Sequence, residues 1–147
     1  MTVLDFSMEL TSDRDKLMKY IIDFENYPKI LPEQLKSLEI LENIDNQVFT
    51  KEEIFFSTII KKPFEQKSVH KIIMPDKLET EIISGPAKGT KLYILLDKLD
   101  SGTTVKIEID LKLGLKAIVL QPLIKKWYKR VIKALLLKIN NIVNNSA

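Results

Sequence analysis

The apolar residues of this chain change period, and that change constrains the fold more than any single motif does. From Leu35 to Leu113 apolar and polar residues alternate with a period of two, and after Gly114 the period becomes that of a helix. The alternating part divides into six strands, at 35–43, 47–57, 60–73, 77–84, 90–99 and 103–113. Turn residues separate them: Asp45-Asn46, Lys62-Pro63 or its neighbours, Pro75-Asp76, Gly85-Pro86 and Asp100-Ser101-Gly102. Consecutive strands joined by short turns pair as an antiparallel meander. The last strand sends Val105, Ile107, Ile109, Leu111 and Leu113 one way and Lys106, Glu108, Asp110 and Lys112 the other, so one face packs and the other is wet.

The flanks complete the pattern. Thr2–Leu10 alternates too, with Leu4, Phe6, Met8 and Leu10 opposite Asp5, Ser7 and Glu9, and reads as a further strand. Ser12 with Asp15 predicts a capping box. The helix it opens would bury Leu17, Tyr20, Ile21 and Phe24. Pro28 and Pro32 limit the next segment to one short helical turn, with Tyr27, Ile30 and Leu31 facing inward. Beyond Gly114, Leu120, Ile124, Trp127, Val131, Leu135 and Ile142 share one stripe of a helix running to about Asn141. Pro122 belongs in its first turn or at a kink, and Asn140, Asn141, Asn144 and Asn145 mark a frayed end. The expected fold is α+β: a curved seven-stranded antiparallel sheet around a long C-terminal helix, with two short helices between strands 1 and 2. With 147 residues it forms one domain, 1–147. Where sheet and helix do not fully close, a cavity remains, apolar with a few polar groups.

Composition removes several functions. The chain has no cysteine and one histidine, His70, which excludes a disulfide framework, a thiol nucleophile and a multi-histidine metal site. No metal and no cofactor is expected. Glu52 and Glu53 are adjacent in a strand and face opposite ways, so they are not a catalytic carboxylate pair. No nucleophile-elbow motif and no phosphate-loop pattern occurs. Met1–Leu10 lacks the regions of a signal peptide, and lysines interrupt the apolar stretch from Leu113 to Val143, so a cytoplasmic protein without a membrane span is expected.

Charge is distributed unevenly. From Leu111 to Ala147 there is no acidic residue, while Lys112, Lys116, Lys125, Lys126, Lys129, Arg130, Lys133 and Lys138 are basic. The chain as a whole carries +3, so the preceding part is net acidic. Such a helix is either a solvated face or a surface for an anionic partner, such as a membrane or the RNA of a ribosome.

Three local motifs point to a family. Asp23-Phe-Glu-Asn-Tyr-Pro-Lys-Ile-Leu-Pro32 follows the first helix, Gly85-Pro86 precedes the sixth strand, and Asp100-Ser-Gly-Thr-Thr-Val105 turns into the seventh. With the element order, they resemble the START-like (SRPBCC, helix-grip) superfamily, in its polyketide cyclase/dehydrase and lipid transport branch. Within it the chain is most similar to the coenzyme Q-binding proteins and their ribosome-associated bacterial relatives. It departs from them at Lys91-Leu92-Tyr93, where a tryptophan is usual, and in lacking an aromatic-x-x-Arg ending to the last helix. The resemblance implies one ligand-binding domain that holds a lipid, isoprenoid or quinone between sheet and helix. The alternatives it carries are a cyclase/dehydratase-type enzyme, with His70 or a tyrosine as acid or base, and a ribosome- or RNA-associated module.

The candidate ligand-binding residues follow from strand parity, the helical stripe and the resemblance. Phe64, Gln66, Ser68 and His70 share one side of their strand, and a concave placement would give the cavity a polar row. Leu92, Ile94, Ile107 and Ile109 line neighbouring strands; Ile124, Trp127, Tyr128 and Val131 come from the helix. Tyr27 and Leu31 sit where the resemblance implies the entrance. No residue is assigned as catalytic.

Overall fold

The computed structural model describes residues 2–56, 62–115 and 117–145. Strand β1 (Thr2–Leu10) is followed by helix α1 (Arg14–Ile21), a single 3-10 turn at Phe24–Asn26 and the short helix α2 (Tyr27–Ile30). Six strands come next: β2 (Leu35–Ile44), β3 (Gln47–Ile54), β4 (Phe64–Ile73), β5 (Lys77–Ile82), β6 (Lys91–Leu99) and β7 (Gly102–Leu111). A 3-10 turn at Ile118–Leu120 leads into helix α3 (Gln121–Asn145). The sheet has the order β1-β7-β6-β5-β4-β3-β2, every neighbour antiparallel.

The expected α+β fold is the observed one, with shifts at element ends. The third strand leaves the ladder at Ile54 rather than at 57. The fourth starts at Phe64, and the expected positions 57, 60 and 61 lie outside the described residues. The β2–β3 hairpin turns on Asp45 and Asn46, both at positive φ (49° and 65°), the two-residue connection that matches sheet twist. Strand β2 breaks register between Leu35 and Ser37 and again between Ile40 and Glu42, irregularities that bend an edge strand.

One face of the sheet, carrying Leu78, Ile94, Leu96, Val105, Ile107, Ile109 and Leu111, is buried together with the inner face of α3. That helix face comprises Ile124, Trp127, Ile132, Leu135, Leu136, Ile139 and Val143. Leu120, Val131 and Ile142, expected on the stripe, pack only at its margin. A core-facing helix beside a broad sheet buries a stripe wider than one residue, so Ile132, Leu136 and Ile139 join it. Pro122 sits in the first turn of α3, as its missing N–H favours.

Two polar readings are corrected. Ser12 does not cap α1; Asp13 does, accepting from the backbone N–H of Asp15 (3.1 Å) and Lys16 (3.3 Å). Ser12 is buried against α3 instead: its N–H donates to Asn140 Oδ1 (3.1 Å), and its hydroxyl lies 3.1 Å from Asn144 Oδ1. Asn140 and Asn144 are therefore not a frayed end. They tie the β1–α1 corner to the last turns of the helix, and Thr103 adds a bond from its hydroxyl to Ser12 O (2.8 Å). On the other side Lys138 Nζ donates to Ile30 O (3.1 Å) and holds α2 against α3.

A buried polar ladder beneath the C-terminal helix

The register of β3 and β4 builds the candidate site. Val48 pairs with His70, Thr50 with Ser68, and Glu52 with Gln66. All six side chains are buried. Opposed residues on one face are the closest cross-strand neighbours, so a polar residue on each strand yields a polar ladder rather than scattered groups. The ladder lies on the concave face, in line with Ile54 on β3 and Phe64 on β4.

Glu52 is its anionic centre, exposed by only 6%. Thr50 Oγ1 donates to Glu52 Oε1 (2.9 Å), and Ser68 Oγ approaches Oε2 at 3.4 Å. Thr50 Oγ1 also lies 2.9 Å from His70 Nε2. A hydroxyl has a single proton, so with Thr50 donating to the carboxylate its oxygen accepts from Nε2–H. His70 Nδ1 faces Thr80 Oγ1 at 2.7 Å. Phe24 stacks on the imidazole face at 4.1 Å between ring centroids. This Phe belongs to the Asp23–Pro32 motif, which thus helps enclose the ladder.

The helix side of the site is aromatic. Phe56 packs edge-on against Trp127 at 3.9 Å and against Tyr128 at 6.2 Å, and it also meets Phe64 at 5.1 Å. Burial, reinforced by the negative charge of Glu52, holds the Tyr128 hydroxyl well above the usual phenol range. That hydroxyl and Gln66 Oε1 are buried and have no hydrogen-bond partner among the described residues. Each uncompensated buried polar group costs about 1–3 kcal/mol. Gly85, with φ of +98°, brings the β5–β6 turn against Gln66: an added Cβ would lie 3.1 Å from Gln66 Cβ.

The candidate residues named from the sequence separate into two groups. Gln66, Ser68, His70, Phe64, Trp127 and Tyr128 surround the ladder or its aromatic wall. Leu31, Leu92, Ile94, Ile107, Ile109, Ile124 and Val131 belong to the apolar core or pack against it. Tyr27 is occupied: its hydroxyl donates to Ile21 O, and its ring packs edge-on against Phe24. Glu52, Thr50, Thr80, Phe24 and Phe56 are absent from the candidate residues named from the sequence, where Glu52 figures only as half of a pair with Glu53 and Phe24 only as a buried residue of the first helix. The signal for Glu52 was its parity with Val48 and Ile54, which sets it on the apolar face.

Recesses on the molecule's exterior are of a different kind. One of about 550 Å³ lies on the sheet's outer face among Ser7, Glu79, Tyr93 and Glu108. Another, of about 560 Å³, lies between the α1–α2 segment and α3, at Tyr20, Ile30 and Ile142. Among the described residues no group of three or more His, Cys, Asp or Glu could hold a metal ion. No helix there is long and apolar enough to cross a membrane.

No family model and no curated protein matches the sequence. The fold is similar to that of the ZhuI aromatase/cyclase from Streptomyces sp. R1128, with a TM-score of 0.82 at 11% identity, covering 97% of this chain and 93% of that one. It is similar to a START superfamily protein from Mycobacterium smegmatis, with a TM-score of 0.74 at 16% identity and 99% of both chains covered. A norcoclaurine synthase point mutant from Thalictrum flavum, crystallised with a transition-state analogue, has a TM-score of 0.78 at 14% identity, covering 99% of this chain and 95% of that one.

Proposed function

On the START-like, helix-grip fold that this chain shares with those structures, we propose that it binds a hydrophobic small molecule with a polar head, the whole chain acting as one ligand-binding unit. The observation that carries the reading is the pair of unpartnered buried atoms, Gln66 Oε1 and the Tyr128 hydroxyl, beside a buried carboxylate and an aromatic wall. A buried ladder of this kind does not pay for itself in stability, because well-packed apolar side chains in its place are commonly neutral or stabilising. Its polar atoms are suited to a ligand head group: Tyr128 donates, Gln66 accepts, and Phe56, Phe64 and Trp127 enclose the apolar body. A lipid, an isoprenoid or a quinone of the coenzyme Q kind fits that division. Phe56 and Trp127 are buried and Tyr128 packs edge-on against both, so a ligand that reaches the ladder from the helix side would displace these rings. A carrier of this type would work in the cytoplasm, between membranes and enzymes.

Solvent extraction of the native protein followed by mass spectrometry tests the reading. A stoichiometric apolar compound is expected, and its rebinding should perturb the fluorescence of Trp127, the sole tryptophan. Tyr128→Phe and Gln66→Leu should each weaken rebinding by about tenfold, the worth of one lost hydrogen bond. A clean extract, together with unchanged Trp127 emission on adding a fatty acid, an isoprenoid alcohol and a quinone, would overturn it.

A second reading is favoured by the Glu52–Thr50–His70 linkage. A carboxylate joined through a hydroxyl to an imidazole is a proton path, the equipment of a cyclase/dehydratase-type enzyme. For that activity Glu52→Gln should abolish turnover while ligand affinity holds.

A further inference from the structure

The connection from β7 into α3 exposes apolar side chains that the core does not use. Leu115 is 90% exposed and Val119 78%, with Ile118 at 50% and Leu123 at 49%. Four large aliphatic side chains within nine residues form a patch, and contiguous exposed apolar patches mark interaction sites. Basic residues border it. Lys112 and Lys126 are exposed, and Ile118 and Pro122 share one recess of about 460 Å³ with Lys125, Lys126 and Lys129. The outer face of α3 continues the charge through Arg130 and Lys133 to Leu137. No acidic side chain occurs from Leu111 onward to neutralise it.

We propose that the Leu115–Leu123 tip inserts into an anionic lipid bilayer, with Lys112, Lys125, Lys126, Lys129 and Arg130 seated on its headgroups. The order of the residues selects this partner. Aliphatic side chains at an exposed tip, flanked by Lys112 before it and by basic residues within the first three turns of α3 behind it, match the hydrocarbon boundary and the phosphate layer of an anionic surface. A nucleic acid would use the lysines and leave the aliphatic tip in water, and an acidic protein groove would not call for so exposed a tip. The tip leads directly into the first turn of α3, the helix that carries Trp127 and Tyr128, so docking would bring the N-terminal end of that helix to the lipid. The docking itself does not depend on the ladder binding any ligand.

The test uses the full chain and vesicles of phosphatidylcholine with or without phosphatidylserine. Co-sedimentation with the phosphatidylserine vesicles is expected, and it should weaken as salt rises. Lys125→Ala and Lys126→Ala should each cost about fivefold in affinity. Leu115→Asp with Val119→Asp should abolish binding, and at such exposed positions the fold tolerates both. Because the chain has no cysteine, Leu115→Cys labelled with an environment-sensitive fluorophore reads insertion directly. A blue shift on phosphatidylserine vesicles, with none for Glu108→Cys on the opposite face of the sheet, supports the proposal. It is overturned if the label at Leu115→Cys reports water throughout, if the double aspartate variant binds as well as the parent, or if the chain binds RNA and leaves vesicles unbound.

Discussion

Glu52 and His70 stand 3.8 Å apart, Oε1 to Nε2, both buried, and Thr50 bonds to each of them. The threonine is the hinge of the ladder: it gives its proton to the carboxylate and its lone pair to the imidazole. Three residues on two strands are thereby fixed relative to one another, and Phe24 closes the imidazole from the helical side.

Thr50→Val removes that hydroxyl at nearly constant shape. The carboxylate then keeps only the longer contact from Ser68, and Nε2–H loses its acceptor. We expect a loss of about 1–3 kcal/mol in urea unfolding, the cost of stranding buried polar groups. Ser68→Ala, at 3.4 Å, should cost less. Equal effects from the two would contradict the central place given to Thr50.

Asn140 supports a second buried polar contact, at the other end of α3. Asn140→Leu keeps the side chain's bulk but leaves the buried N–H of Ser12 without its acceptor. A destabilisation of about 1–3 kcal/mol is expected. Asn141→Ala, on the exposed side, should stay within about 0.5 kcal/mol. Thermal unfolding of the pair side by side decides it, and indistinguishable melting temperatures would refute the assignment.

These contacts show where a sequence is legible and where it is not. Strand parity put Gln66, Ser68 and His70 on one face, and the helical stripe put Trp127 inward, because periods of two and 3.6 are local properties. From the sequence alone Glu52 stands out only as half of a pair with Glu53. Its importance depends on lying opposite Gln66 and one rung from Thr50, which is itself diagonal to His70, and that register is set by strand pairing. Ser12 departs from its local expectation for a related reason. It precedes a helix, as a cap does, but Asp13 is one residue closer, and Asn140, 128 positions away, claims Ser12. The Asn-rich end of α3 read as fraying because asparagine is a weak helix former in isolation; tertiary hydrogen bonds override that preference.

Alkaline pH should unfold the protein through two tyrosines. Burial, with Asp23 adding its charge, holds Tyr27 well above its ordinary value of 10.0. Burial, with Glu52 behind it, does the same for Tyr128. In the unfolded chain both titrate near the ordinary value. Below it both states keep the phenol protons, and the tyrosines leave stability independent of pH. Above it the unfolded chain ionises first, so stability falls as pH rises, by up to about 1.4 kcal/mol per pH unit for each tyrosine. Chemical unfolding across the phenol range measures the slope. The Tyr27→Phe, Tyr128→Phe double variant should lose most of it, and an unchanged slope in that variant would assign the alkaline loss elsewhere.

Gly102 opens β7 at a φ of +152°, pressed against the end of β1. A Cβ there would lie 2.1 Å from Leu10 O and 3.2 Å from the Thr11 Cα. Neither neighbour is a flexible side-chain tip, so relief requires β1 and β7 to separate at the corner that Ser12 and Thr103 also hold. Gly102→Ala should therefore cost about 2 kcal/mol or more, combining backbone strain with overpacking. For a domain of this size that lowers the melting temperature by roughly 6 °C. Gly114 is the internal control. Nothing lies within 4 Å of a Cβ built there, and Gly114→Ala should leave stability unchanged or raise it by about 0.4–1 kcal/mol. Calorimetry of the two variants separates the effect of the corner from that of losing a glycine: equal shifts would mean that the β1–β7 approach is not as close as 2.1 Å implies.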